Sequence, residues 1–161
     1  MKVILLGAPG AGKGTQAEKI SQKFNITAIS TGYIIRHAIA EGTELGKLAK
    51  VNIDEGKLLP DDVVTKLLLE RLDKEDCKNG FILDGYPRTL NQAKALDELG
   101  IAVDKVVSNA VSDDDVIARL SGRRECTKCG IPYHISHNKP TVEGICDVCG
   151  GELIQRADDN P

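Results

Sequence analysis

The sequence predicts an α/β fold, a parallel sheet of short strands with helices on both of its faces. Three observations carry this. Uninterrupted apolar runs recur at Lys2-Val3-Ile4-Leu5-Leu6, Thr27-Ala28-Ile29, Phe81-Ile82-Leu83 and Val106-Val107, and runs without polar alternation suit strands covered on both faces. The segments between them read as helices, so the two kinds of element alternate. The glycine-rich stretch Gly7-Ala8-Pro9-Gly10-Ala11-Gly12-Lys13-Gly14-Thr15 sits between the first strand and the first helix, the context that turns a glycine pattern into a phosphate cradle.

Taken in order, the loop glycines let backbone N–H groups turn inward, and the new helix points its positive end at the same place. Lys13 adds a mobile ammonium for outer phosphates. The usual pattern has Ser or Thr directly after the lysine; here Gly14 intervenes and Thr15 follows. An ordinary glycine turn is the alternative, and the flanking strand and helix favour a P-loop for a nucleoside triphosphate.

The first helix is expected over Gln16 to Phe24, with Ala17, Ile20 and Phe24 on one face. After the second strand, Ser30 or Thr31 caps a helix running through Arg36. Another helix runs from Thr43 towards Glu55 and is stopped by Gly56. Pro60 opens the next, with Asp61 and Asp62 favouring its dipole and Val63, Val64, Leu67 and Leu68 at helical spacing. The third strand delivers Asp84 at its carboxyl end, where ligands bind in open α/β sheets. Gly85 to Arg88 form a turn, and Thr89 caps a helix to about Leu99. Ser112 and three following aspartates open a helix ending at Gly122. From there to about residue 157 glycine, proline, cysteine and polar residues predict an inserted, loop-rich module.

A length of 161 residues implies one domain with room for such an insert. Apolar residues at 41% suffice for a core, but aromatics at 3% mean that aliphatic packing dominates it. A formal charge of −3 argues against a surface that coats nucleic acid. No apolar run is long enough to span a bilayer, and no charged lead-in precedes the first one. The expectation is a cytoplasmic protein with neither a membrane nor a nucleic-acid partner.

Four of the five cysteines form two pairs, Cys126-x2-Cys129 and Cys146-x2-Cys149, sixteen residues apart, each followed by glycine. Four thiolates on two such knuckles fit a tetrahedral, structural zinc with no open position. Two disulfides or four unrelated buried cysteines are the alternatives, and iron also suits four thiolates. His134 and His137 lie between the pairs and are expected on the surface. Cys77 reads as a small apolar residue. Asp84 with Thr15 is a candidate to hold magnesium through water; the plainer reading is a turn aspartate before glycine. Arg36, Arg88, Arg119, Arg123 and Arg156 are solvated surface residues or, if they converge, phosphate ligands.

Assembled, these residues resemble the adenylate kinases, in the form whose lid carries zinc. The motifs are GAPGAGKGT at Gly7–Thr15, Ser30-Thr31-Gly32 with Arg36, DGYPR at Asp84–Arg88, Gly122-Arg123-Arg124, the four cysteines, and Gln155-Arg156-Ala157-Asp158-Asp159. The resemblance implies the reaction ATP + AMP ⇌ 2 ADP with Mg2+ and a structural Zn2+. It implies a P-loop core over residues 1–29 and 60–121, an AMP-binding insert over 30–59 and a zinc-binding lid over 122–159. It implies ATP contacts from Gly10, Ala11, Gly12, Lys13, Gly14, Thr15, Arg119, Arg123, Pro132 and Tyr133. AMP would meet Thr31, Arg36, the Lys57-Leu58-Leu59 backbone, Gly85, Tyr86, Pro87, Arg88, Gln92 and Arg156, with Gln92 reading the base. Lys13, Asp84, Arg88, Arg123 and Arg156 would carry the catalysis, and the complete protein would be a monomer.

Two departures stand out. Tyr33 occupies the position where the family has aspartate after Thr-Gly. The chain also stops at Pro161, where the family continues with a helix carrying another phosphate-binding arginine, a last strand and a terminal helix. The expectation is a fragment or truncated product with its last strand and helix missing and little activity alone. Rival readings are a kinase for CMP, UMP or GMP, a nucleotide-gated zinc ribbon that grips nucleic acid, and a non-catalytic remnant. Gln92 and the zinc lid favour AMP. Between the cysteine pairs, Tyr133, Lys139 and two histidines make a thin nucleic-acid surface.

Overall fold

Strands β1 (Lys2–Leu6), β2 (Thr27–Ser30), β3 (Phe81–Asp84) and β4 (Lys105–Ser108) pair in parallel in the order β2-β3-β1-β4. They do so in the computed structural model, which describes residues 1–54, 59–156 and 159. The expected helix end at Glu55–Gly56, together with Lys57, Leu58, Ala157 and Asp158, lies outside the described residues.

The chain divides into two compact units. One holds Met1–Leu6 and Gln16–Ser108, and the other holds Gly7–Thr15 and the chain from Asn109 onward. In the first, both faces of the central strands β1 and β3 are covered. Val3, Leu5 and Ile82 pack with Ala17 and Ile20 of helix α1 (Lys13–Phe24). Ile4, Ile29 and Leu83 pack with Val64 and Leu68 of helix α4 (Asp61–Leu72), and with Tyr86 and Leu96. Full burial of one such aliphatic side chain is worth about 1.5–3 kcal/mol. That is why the central positions of β1 and β3 are apolar on both sides.

The expected helices are present with small shifts. α1 begins at Lys13 rather than Gln16, because Gly12 already ends the loop. Its Phe24 is 51% exposed and does not share the buried face of Ala17; the Lys23 ammonium lies over its ring. Helix α2 (Thr31–Ala40) is capped by Ser30, whose hydroxyl accepts from the Tyr33 N–H. Helix α3 spans Glu44–Asp54. Helix α5 (Leu90–Glu98) is capped by Thr89, which accepts from the Gln92 N–H. Each cap satisfies an N–H that the helix itself cannot. No helix among the described residues is long and apolar enough to cross a membrane. Among the described residues β4 pairs only with β1, so it forms one edge of the sheet, with Val106 58% and Val107 42% exposed.

In the second unit, Ser112 caps helix α6 (Asp113–Gly122) by accepting from the Asp115 N–H. The region expected to be loop-rich contains a small antiparallel sheet. Its strands β5 (Arg123–Cys126), β6 (Pro132–His134) and β7 (Leu153–Ile154) stand in the order β6-β5-β7. Its interior is Cys126, Tyr133, Cys146 and Leu153.

Candidate nucleotide site and four-cysteine centre

In the second unit the glycine loop turns through Gly10 at φ +78° and Gly12 at φ +88°, a region that side chains disfavour. A Cβ on Gly10 would also lie 2.9 Å from Cγ of Leu120, so the loop rests directly on α6. Lys13 Nζ donates to the carbonyls of Gly7 at 3.0 Å and Ala8 at 2.9 Å, which folds the ammonium across the loop. Ala11 is buried, whereas Gly14 and Thr15 are exposed. Arg119 is brought to the loop, with Nη1 3.8 Å from the place a Cβ on Gly12 would take.

Two further arginines of this unit are held by carboxylates. Arg123 donates through Nε (2.8 Å) and Nη2 to the two oxygens of Asp159. Arg156 donates through Nη2 to Glu125, and its buried Nε has no hydrogen-bond partner among the described residues. The guanidinium groups are thus oriented by partners that spacing alone did not reveal. Asp159 belongs to the QRADD motif, and no local pattern marks Glu125.

The four cysteine sulfurs lie within 4.8 Å of one another. Cys126 and Cys149 are 3.4 Å apart and Cys129 and Cys146 3.6 Å. A tetrahedral ion with Zn–S bonds of about 2.3 Å requires sulfurs about 3.8 Å apart, and a disulfide requires about 2.05 Å. All four are free thiols, so the set fits a metal and not two disulfides. Burial alone raises the Cys146 thiol. Hydrogen bonds from the Tyr133 hydroxyl and the N–H groups of Cys149 and Val148 outweigh it and bring it down to about 6. Burial likewise opposes the Cys126 thiolate, and the N–H groups of Cys129 and Lys128 overcome it, so its thiol is lowered. Burial pushes Cys129 up to about 12.

Tyr133 is 6% exposed, and its hydroxyl meets Cys146 at 3.6 Å and accepts from the Asp147 N–H at 2.8 Å. Its side chain therefore belongs to the cysteine core. Pro132 is half-buried beside it on β6. His134 is not the surface residue expected. It is half-buried, its Nδ1 accepts from the N–H groups of Ser136 and His137, and its Nε2 is sealed from solvent. The ring sits against Gly122, where a Cβ would come within 2.3 Å of Nε2. His137 is exposed, as expected.

In the first unit, Thr31 Oγ1 and Arg88 Nε both donate to the Gly85 carbonyl, at 2.9 and 2.8 Å. The Tyr86–Pro87 peptide is cis. Tyr86 is wholly buried, with its hydroxyl 2.8 Å from Thr65 Oγ1 and donating to the Gln92 carbonyl; burial raises its phenol above the ordinary range. Gln92 is also buried. Its Oε1 accepts from the Arg88 N–H at 2.7 Å and its Nε2 donates to Asp61 at 2.8 Å. Arg36 folds back along α2, with Nη1 3.1 Å from a Cβ position on Gly32. Tyr33 stacks on His37 with ring centroids 5.6 Å apart. Leu59 packs against the core. Asp84 ends β3, paired in register with Leu5. Cys77 is buried beside Arg71, as expected of a small apolar residue.

A parallel sheet whose first strand runs into a lysine-bearing glycine loop and a helix is the frame of a P-loop protein. The adenylate kinase family profile matches residues 5–160. The chain is 56% identical over 163 residues to an adenylate kinase of Caldicellulosiruptor bescii, covering 99% of this chain and 76% of that protein. It is 55% identical to adenylate kinases of Acetivibrio thermocellus and Clostridioides difficile, covering 99% of this chain and 75% and 76% of those proteins. The chain belongs to the adenylate kinase family.

Proposed function

We propose that this chain catalyses the reversible transfer of a phosphoryl group from ATP to AMP, giving two ADP. The observation that carries the reading, beside family membership, is the glycine loop with the Lys13 ammonium held across it. In this reading Lys13 and the N–H groups of Gly10 to Thr15 cradle the ATP phosphates, with Arg119 and Arg123 beside them. Thr31, Arg36, Lys57 to Leu59, Gly85 to Arg88 and Gln92 receive AMP, and Arg156 serves the phosphates. The functional division is a core of 1–29 and 60–121, an insert of 30–59 and a lid of 122–159.

The acceptor is a phosphate oxygen that is already ionised, so no general base is needed. Positioning and charge neutralisation supply the catalysis. Mg2+, for which Asp84 and Thr15 offer oxygens, would neutralise charge on the ATP phosphates. Asp159 and Glu125 fix two of the arginines so that little ordering remains when phosphate arrives. Cys126, Cys129, Cys146 and Cys149 would hold a structural Zn2+, supported by sulfur spacings close to the tetrahedral value. The reading is completed by a cytoplasmic enzyme, monomeric as the complete protein, with nucleotides as its only partners.

The test is ADP formation from ATP and AMP with magnesium. Two ADP per AMP consumed, absent in Lys13→Ala, is the expected result. ADP released at a rate independent of AMP would replace the reading with simple hydrolysis.

A further inference from the structure

Gln92 is buried, and a glutamine amide reads opposite ends of a base depending on which way it is turned. Adenine presents a donor at its 6-amino group and an acceptor at N1. Hypoxanthine and guanine present an acceptor at O6 and a donor at N1. An amide with its oxygen towards position 6 and its nitrogen towards position 1 therefore pairs with adenine, and the reversed amide pairs with the 6-oxo bases.

The two partners of Gln92 leave no choice of orientation. The Arg88 backbone N–H can only donate, so the atom 2.7 Å from it is Oε1. An ionised carboxylate can only accept, so the atom 2.8 Å from Asp61 Oδ1 is Nε2. The second oxygen of Asp61 accepts from the Thr89 hydroxyl at 2.9 Å, and that hydroxyl accepts in turn from the Gln92 N–H. The Asp61 carboxylate is thus fixed from both sides, between the first turns of α4 and α5. After these bonds the amide keeps one N–H and one lone pair, enough to pair with a base.

We propose that Asp61 is a specificity-determining positioning residue, which locks the Gln92 amide in one orientation and so selects a 6-amino purine monophosphate over a 6-oxo one. This rests on the reading of Gln92 as the base reader. Asp61 touches no substrate; it acts through Gln92. A flipped amide would face Asp61 with an oxygen and Arg88 with an NH2 group, leaving buried groups unpaired, which is costly.

The experiment is calorimetric binding of AMP and inosine monophosphate to the chain and to its Asp61→Ala and Asp61→Asn variants. The two ligands share ribose and phosphate and differ only at positions 1 and 6. The chain is expected to prefer AMP, and Asp61→Ala to shrink that preference by roughly tenfold. Asp61→Asn, which keeps the shape of the carboxylate and secures folding, is expected to give a smaller change in the same direction. If both variants melt cooperatively and the ratio of the two affinities stays at its original value, the inference is overturned, because a purely structural role weakens both ligands alike. A chain that binds AMP but shows no preference overturns the inference while leaving the proposed reaction standing. A chain that binds neither ligand removes the AMP reading and the inference together.

Discussion

Asp159 grips Arg123 through both of its oxygens while only 1% of its side chain is exposed, against 19% for the arginine. A charge pair this enclosed is weak evidence for stability while intact. Removing one member is another matter, because the remaining charge stays buried without its partner. Asp159→Ala is expected to destabilise the second unit by about 3 kcal/mol and to weaken ATP binding by letting Arg123 swing. Hydrogen exchange at residues 123–126 measures the first effect and calorimetry the second. Exchange and ATP affinity equal to those of the parent chain would show that the pair is incidental.

Lys13→Ala is expected to weaken ATP binding by about ten- to a hundredfold, the worth of one or two charged hydrogen bonds. Its ammonium donates to the loop carbonyls of Gly7 and Ala8 in solvent-exposed bonds, whose net worth to the fold is small, so the fold is expected to tolerate the change. Titration with ATP, alongside a melting curve that does not move, checks both halves.

Metal analysis of reduced protein supplied with zinc is expected to give about one ion per chain. Chelation is expected to unlock β5, β6 and β7 while the four-stranded sheet keeps its protection, since every ligand lies in the second unit. A stoichiometry near zero, or equal loosening of both sheets, would dismiss the four-thiolate site.

Gly122→Ala places a methyl group where the His134 ring now packs. The ring must move, and with it the two N–H bonds accepted by Nδ1. The expected loss is about 1–3 kcal/mol, the range for overpacking. Combining it with His134→Ala frees the space, so the double variant is expected to lose less than the sum of the two.

Val106→Lys tests the edge that β4 forms among the described residues. An exposed apolar edge strand is a template for pairing with another chain, and a lysine blunts it. Light scattering is expected to show association in the parent chain and less of it in the variant.

Much of this structure is legible in the residues because strong local signals agree. Val3, Ile4 and Leu5 make a short apolar run that the glycine loop ends, which suits a strand buried on both faces, and Ser30, Thr89 and Ser112 are each hydroxyls positioned to cap. The small sheet is not legible. Arg123-Arg124-Glu125-Cys126 has no apolar period, and it becomes a strand because the cysteine cluster it leads into fixes its end. Phe24 falls on the apolar face of α1 by count, yet it lies in the last turn, past the reach of the sheet. The surface reading of His134 fails because spacing says nothing about the empty Cα of Gly122. Asp61 is read correctly as a first-turn carboxylate favouring the helix dipole, but its grip on Gln92 joins residues thirty-one apart. The orientation of a buried amide is set by such distant partners.

All four strands of the larger sheet run the same way, so all four carboxyl ends lie along one edge. β1 leads into the glycine loop there, β2 into α2 and β3 into the DGYPR turn. The backbone ladder, from Lys2↔Phe81 to Leu5↔Asp84, is complete before any of these segments begins. Descent with modification can therefore lengthen, shorten or recode one recognition segment without disturbing strand register. Each such segment varies on a scaffold that inherits its folding information intact.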